Sequence, residues 1–143
     1  MGSYMLNIRK IDKETTWAIR QKVLWPGRAL EYVKLEDDDV GMHYGLFVEN
    51  RLVCVISLFI GPDGAQFRKF ATLEEEQGKG YGSELLRYLI NEARQRGVDR
   101  IWCNSRKSKS DYYRKFGLEE TNLLFVKGGI EYVVMEKYLS SPE

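Results

Sequence analysis

Residues Gln77-Gly78-Lys79-Gly80-Tyr81-Gly82 place three glycines within six positions. Glycine carries no side chain to hold a ligand away from the backbone. The segment follows a strand-like run, Gln66–Leu73, and leads into an amphipathic helix expected from about Ser83. A helix start offers N–H groups without helical partners and the positive end of a dipole. The combination predicts an anion-binding turn suited to a phosphate or pyrophosphate.

Other phosphate-binding turns do not fit. A triphosphate loop needs G-x-x-x-x-G-K-[ST], which the chain lacks. A dinucleotide fingerprint needs G-x-G-x-x-G, and neither Gly78 nor Gly80 starts one. The next strand also ends in Asn104 rather than in an acid that would bind a ribose. Metal chemistry has little support, with one histidine, His43, and two cysteines, Cys54 and Cys103, in no paired ligand spacing. Both cysteines sit in strand-like segments and read as buried thiols, which favours a cytoplasmic setting over a disulfide framework.

The elements around the turn follow from periodicity. Leu6–Ile11 alternates and predicts a strand. Thr15 or Thr16 can cap a helix to about Leu24, with Trp17, Val23 and Leu24 offered to the core, and Trp25-Pro26-Gly27 stops it. Arg28–Leu35 is ambiguous and open to a short helix, and the acidic run Glu36–Asp39 reads as a solvated loop. His43–Val48 and Leu52–Ile60 predict a hairpin, and Gly61-Pro62-Asp63-Gly64 turns into the Gln66–Leu73 strand. Leu85, Leu86, Leu89, Ile90 and Ala93 then share one helical face, ended by Gly97. Arg100–Asn104 predicts a strand parallel to Gln66–Leu73. A short helix capped by Ser108 or Ser110 ends at Phe116-Gly117, and Leu123–Val126 with Tyr132–Met135 gives a last strand pair. The order predicts an α/β protein of the α+β type, with a mixed, mostly antiparallel sheet flanked by helices.

Composition sets the outer bounds. The chain has 143 residues, 43% hydrophobic and 30% charged, with a formal net charge of +1. These values predict one globular domain over 1–143 with a real core, and nothing in them points to nucleic acid or an anionic membrane. No apolar run reaches the roughly 18 residues that span a bilayer.

The string Gln77–Gly82 fits [RQ]-x-x-G-x-[GA], and the chain thereby resembles the GNAT superfamily of acetyl-CoA-dependent N-acetyltransferases. Tyr112-Tyr113-Arg114-Lys115-Phe116-Gly117-Leu118 resembles the family's aromatic-Tyr-x-x-x-Gly-apolar segment. The resemblance is specific over Gln66–Leu118 and topological elsewhere. A proline common in the family is replaced by Glu74. The resemblance implies that Phe70, Ala71 and Thr72 meet the pantetheine arm and thioester. It implies a pyrophosphate clamp from Gln77, Gly78, Lys79, Gly80, Tyr81, Gly82 and Ser83. It also implies that Asn104 is a further cofactor contact, and that Tyr113, near the cofactor sulfur, protonates the departing thiolate or hydrogen-bonds to it.

The implied activity is transfer of an acetyl group from acetyl-CoA to a primary amine by direct attack. Glu74 and His43 are the candidate bases, alongside Glu75 and Glu76. Trp25, Arg28 and Tyr32 are candidates to line the acceptor site, and an arginine there suits an acceptor with a carboxylate. The acceptor is a small molecule or peptide amine, and the family allows a homodimer. The alternative is a non-catalytic acyl-CoA sensor on the same fold.

Overall fold

The computed structural model describes residues Met5–Leu139. The strands are β1 (Leu6–Ile11), β2 (Met42–Val48), β3 (Arg51–Gly61), β4 (Gly64–Thr72), β5 (Arg100–Arg106), β6 (Glu119–Lys127) and β7 (Ile130–Tyr138). The α-helices are α1 (Lys13–Ile19), α2 (Tyr81–Gln95) and α3 (Ser110–Arg114). The seven strands form one sheet in the order β1-β2-β3-β4-β5-β7-β6. β4 and β5 run parallel, with Ala65 opposite Ile101 and Gln66 opposite Trp102. The pairs β1–β2, β2–β3, β5–β7 and β6–β7 are antiparallel. This is the mixed, mostly antiparallel architecture that the sequence predicts.

The chain divides into two compact units. The first comprises Met1–Phe59 and Lys69–Leu89, and the second Ile60–Arg68 and Ile90–Glu143. In the first, β2 and β3 are joined at Glu49 and Asn50, both at positive φ (49° and 67°), as a two-residue hairpin turn requires. Tyr44 of β2 is buried, and its ring meets Tyr88 of α2 edge to face at 5.9 Å. In the second, the two left-handed glycines Gly128 and Gly129 turn β6 into β7. The apolar stripe of α2 is buried throughout, at Leu85, Leu86, Leu89, Ile90 and Ala93. Each leucine or isoleucine so buried stabilises by about 1.5–3 kcal/mol. Gly97 closes α2, with the Val98 N–H donating to the Ala93 carbonyl and the Gly97 N–H to Arg94.

Several local expectations change. α1 starts at Lys13 with Asp12 in the cap position, and Thr16 donates its hydroxyl to the Lys13 carbonyl inside the helix. The buried side of this segment is Thr16, Ile19 and Arg20, whereas Trp17, Val23 and Leu24 are only half-buried. The helix continues as a π-helical turn over Arg20–Leu24. Arg28–Leu35 contains a 3-10 turn at Leu30–Val33, and α2 begins at Tyr81 rather than Ser83. The cap position of α3 is Lys109, while Ser110 donates to the Lys107 carbonyl. The run Glu36–Asp39 is not simply a solvated loop, because Asp38 is buried. Among the described residues no helix is long and apolar enough to cross a membrane.

Candidate active site

The glycine turn occupies the first unit between the end of β4 and α2. After Leu73, whose N–H donates to Val53 of β3, Glu74–Glu76 makes one 3-10 turn and the chain reaches Gln77. The Gln77 amide donates to the Thr72 carbonyl at 3.0 Å, which ties the turn back to the strand. Gly78 and Gly80 take φ of +79° and +87°, and a Cβ at either would meet nothing within 4 Å. Packing requires neither glycine, and the backbone there is open to a ligand.

Gly82 differs. A Cβ there would lie 3.2 Å from the Phe70 ring and 3.3 Å from Thr72 Oγ1, so α2 starts in close packing on the end of β4. The Glu84 N–H is the donor that returns to the Gly80 carbonyl. The helix supplies no carbonyl for the N–H groups before it, a donor set that fits a pyrophosphate. The structure thus brings Phe70, Thr72, Gln77 and Gly82 together. Ala71 between them is buried, and Tyr81 and Ser83 are half-buried at the helix start.

The charged residues of this loop are mutually engaged. Lys79 pairs with Glu76 at 3.0 Å, and Arg51 reaches Glu75 at 2.7 Å and Glu76 at 2.9 Å. A hydrogen bond that the Glu75 carboxylate accepts from its own backbone N–H leads, with that from Arg51, in holding the carboxyl below its ordinary range. Glu74 is exposed and makes no ion pair among the described residues.

His43 has a different setting. It is buried, with Nδ1 2.7 Å from Ser57 Oγ and Nε2 2.9 Å from the Asp38 carbonyl. A carbonyl only accepts, so Nε2 carries the proton. The fully buried Arg20 donates to Ser57 Oγ at 3.0 Å, and the Ser57 hydroxyl is then placed to donate to His43 Nδ1. Arg20 also forks onto both Asp38 oxygens at 2.8 and 3.0 Å and reaches the Val33 carbonyl at 3.1 Å. The Trp17 indole and the Leu35 N–H add two donors to Asp38. Burial by itself would raise the Asp38 carboxyl, but the hydrogen bonds from Arg20, Leu35 and Trp17 outweigh it and hold the group below the carboxylate range. Both His43 nitrogens are thus used in structure, and the expectation of His43 as base gives way to a structural role.

The network was not anticipated from the sequence. Arg20 shares the helical face of Thr16, and that spacing is the only local signal for it. What the network fastens is the segment carrying the acceptor-site candidates. Trp25 and Tyr32 meet edge to face, with Arg28 over the Tyr32 ring.

In the second unit, the Tyr113 ring on α3 lies 5.7 Å from Phe67 and 5.3 Å from Tyr112. Burial, chiefly, pushes its phenol far above the ordinary range, with Cys103 and Tyr112 adding to the shift. Tyr113 is thus protonated at neutral pH, with a hydroxyl proton to offer. Asn104 is exposed on β5, opposite Val134.

The sheet order, with a glycine turn between a strand and a long helix, is the arrangement that the resemblance to acetyltransferases implies. Comparison with known proteins identifies the family. A model described as the acetyltransferase (GNAT) domain matches residues 31–139. A Bacillus subtilis (strain 168) relative, the uncharacterized N-acetyltransferase YitI, is 30% identical over 145 residues, covering 94% of this chain and 97% of its own. The chain belongs to the GNAT family of N-acetyltransferases.

Two solved structures illustrate the shared fold. A Lactobacillus plantarum protein assigned as an N-acetyltransferase superposes with a TM-score of 0.85 at 21% identity, over 94% of this chain and 99% of that one. A GNAT family acetyltransferase from Elizabethkingia anophelis, solved with acetyl-CoA bound, has a TM-score of 0.73 at 14% identity, over 94% and 98%.

Proposed function

We propose that this chain transfers an acetyl group from acetyl-CoA to a primary amine by direct attack. The observation that carries this reading is the pair of left-handed glycines, Gly78 and Gly80, set in open space between the end of β4 and the start of α2. The Gln77–Ser83 backbone would hold the pyrophosphate, with Phe70, Ala71 and Thr72 along the pantetheine and one of their N–H groups polarising the thioester carbonyl. Lys79, already paired with Glu76, adds a charge beside the phosphates. Asn104 is a further contact in this reading. The residues present fit the group.

Acetyl-CoA supplies an activated thioester. An amine of pKa about 10.4 must lose a proton to attack, at a cost of about 4.6 kcal/mol at pH 7. Glu74, exposed and without an ion pair among the described residues, is left by the pairing of Glu75 and Glu76 as the carboxylate to take that proton, directly or through water. As the C–N bond forms and the C–S bond breaks, the sulfur gains the electron pair and Tyr113 donates a hydrogen bond to it. The released thiol takes its proton from solvent or from the base. Trp25, Arg28 and Tyr32 would line the acceptor side.

One domain over 1–143, a cytoplasmic setting and a small-molecule or peptide acceptor belong to the same reading. So does a homodimer through β6, the last strand of the sheet, where Leu123, Leu124 and Val126 are exposed. Sedimentation at two concentrations checks the dimer.

The main test is thermal stabilisation by acetyl-CoA, followed by thiol release with a panel of amines. Stabilisation by a nucleotide but not by acetyl-CoA would sink the reading. Stabilisation with a flat panel would favour a sensor. Tyr113→Phe is expected to lower kcat about ten- to hundredfold, the worth of a hydrogen bond to a charged group, and an unchanged kcat at all pH values removes Tyr113 from the chemistry.

A further inference from the structure

Trp25, Arg28, Tyr32 and Lys69 form one connected surface cluster in the first unit. The Trp25 and Tyr32 rings are 5.0 Å apart at 71°, and they remain 36% and 49% exposed. The Arg28 guanidinium sits 4.7 Å above the Tyr32 ring, and the Lys69 ammonium 5.6 Å from the Trp25 ring. Each exposed ring therefore has a cation against it, as the attraction between a cation and an aromatic face favours.

The backbone beneath is held in place. The Gln21 amide donates to the Arg28 carbonyl at 2.6 Å, the Arg28 N–H to Trp25 at 3.2 Å, and the Tyr32 N–H to Ala29 at 3.0 Å. Among the described residues Arg28 makes no ion pair, and the nearby Glu31 is taken by Lys34 at 2.6 Å. A guanidinium seated on a ring keeps its N–H fork for a carboxylate.

Lys69 ties this cluster to the reacting end of the strand. It lies inside β4 at a φ of +56°, a left-handed conformation that breaks the regular alternation, and it immediately precedes Phe70. Lys69, its ammonium 5.6 Å from the Trp25 ring, is thus the neighbour in the chain of the strand positions assigned to the thioester. Such a surface repels a polycation and welcomes an anion with a flat apolar body.

We infer that the acceptor is an amine bearing a carboxylate and an aromatic or similarly flat apolar group, as in a free aromatic amino acid. Arg28 takes the carboxylate, and Trp25 with Tyr32 packs the apolar group. This rests on the acetyltransferase reading and names the substrate class for it. A polyamine, whose charge has the sign of Arg28, fits this surface less well.

The test measures binding without turnover. Protein saturated with coenzyme A is titrated calorimetrically with N-acetylphenylalanine, N-acetylphenylalaninamide and spermidine. The acid is expected to bind at least about tenfold more tightly than the amide, the worth of one charge-assisted contact, and spermidine not at all. Arg28→Gln, at an exposed position and so expected to melt with the wild type, should bring the acid-to-amide ratio close to one. The amino acids should then outrun their amides in kcat/KM by a similar factor. Equal binding of acid and amide, binding of neither, a preference for spermidine, or an acid preference that survives Arg28→Gln each overturns the inference while coenzyme A binding keeps the acetyltransferase reading standing. Failure of coenzyme A itself to bind overturns that reading instead.

Discussion

Two charged regions of the first unit use the same chemistry to opposite ends. Around the glycine turn, Arg51, Glu75, Glu76 and Lys79 pair in water. In the buried network at the end of α1, Arg20 and Asp38 pair at 0% and 3% side-chain exposure. An exposed pair is screened and contributes at most about 1 kcal/mol. A buried pair contributes little beyond an apolar substitute, yet losing one partner strands a charge in a medium that cannot solvate it. The loop can therefore change partners when a polyanion arrives, whereas the network specifies one arrangement of Val33, Leu35, Asp38, Ser57 and His43. Arg20 Nε, buried without a hydrogen-bond partner, is the one imperfect point of that arrangement.

The largest expected effect breaks the buried side. Arg20→Met should cost about 3–5 kcal/mol, read by urea unfolding, and a loss under about 1 kcal/mol would put the two regions on a par. The pH dependence of Asp38 comes next. Its carboxyl is held below the ordinary range in the fold, so its stabilisation is fully present above the unfolded value of about 3.9 and disappears as pH falls through the lower folded value. The stability gap between wild type and Asp38→Asn should stay constant above about pH 5 and close at lower pH, and a gap that widens on acidification contradicts the sign.

On the loop, Gly80→Val should cost about 1–3 kcal/mol of stability through its left-handed backbone. The same variant should raise the KM for acetyl-CoA about tenfold or more, so that function suffers where packing does not. The smallest effect belongs to Arg51→Gln, which should barely move the urea midpoint, and added salt should erase what difference there is.

The two regions also differ in how far the sequence discloses them. The glycine turn needs particular residue types at neighbouring positions, and α2 needs an apolar period, so both are legible locally. Arg20 meets Asp38 eighteen residues on and Ser57 thirty-seven on, and pairings over such distances leave no periodic trace. The acidic run therefore reads as solvated until the fold buries one of its members. Lys69 gives no sign of its left-handed backbone, because lysine is not a residue that turns announce. β6 is visible only in its apolar stretch. Its polar start joins the sheet through β7, with Glu119 opposite Glu136 and Glu120 opposite Met135.

The two cysteines have a practical consequence at the bench. Burial pushes Cys54 up to about 11, with Thr72 and the Val55 backbone pulling slightly the other way, and pushes Cys103 up to about 12. At pH 8 only about one Cys54 in a thousand is a thiolate, and that is the form that attacks a disulfide dye. The folded chain is thus nearly silent to thiol reagents, and colour developed in a turnover assay reports released coenzyme. The same silence turns into a gauge of unfolding, since dye uptake without acetyl-CoA would count the molecules whose core has opened.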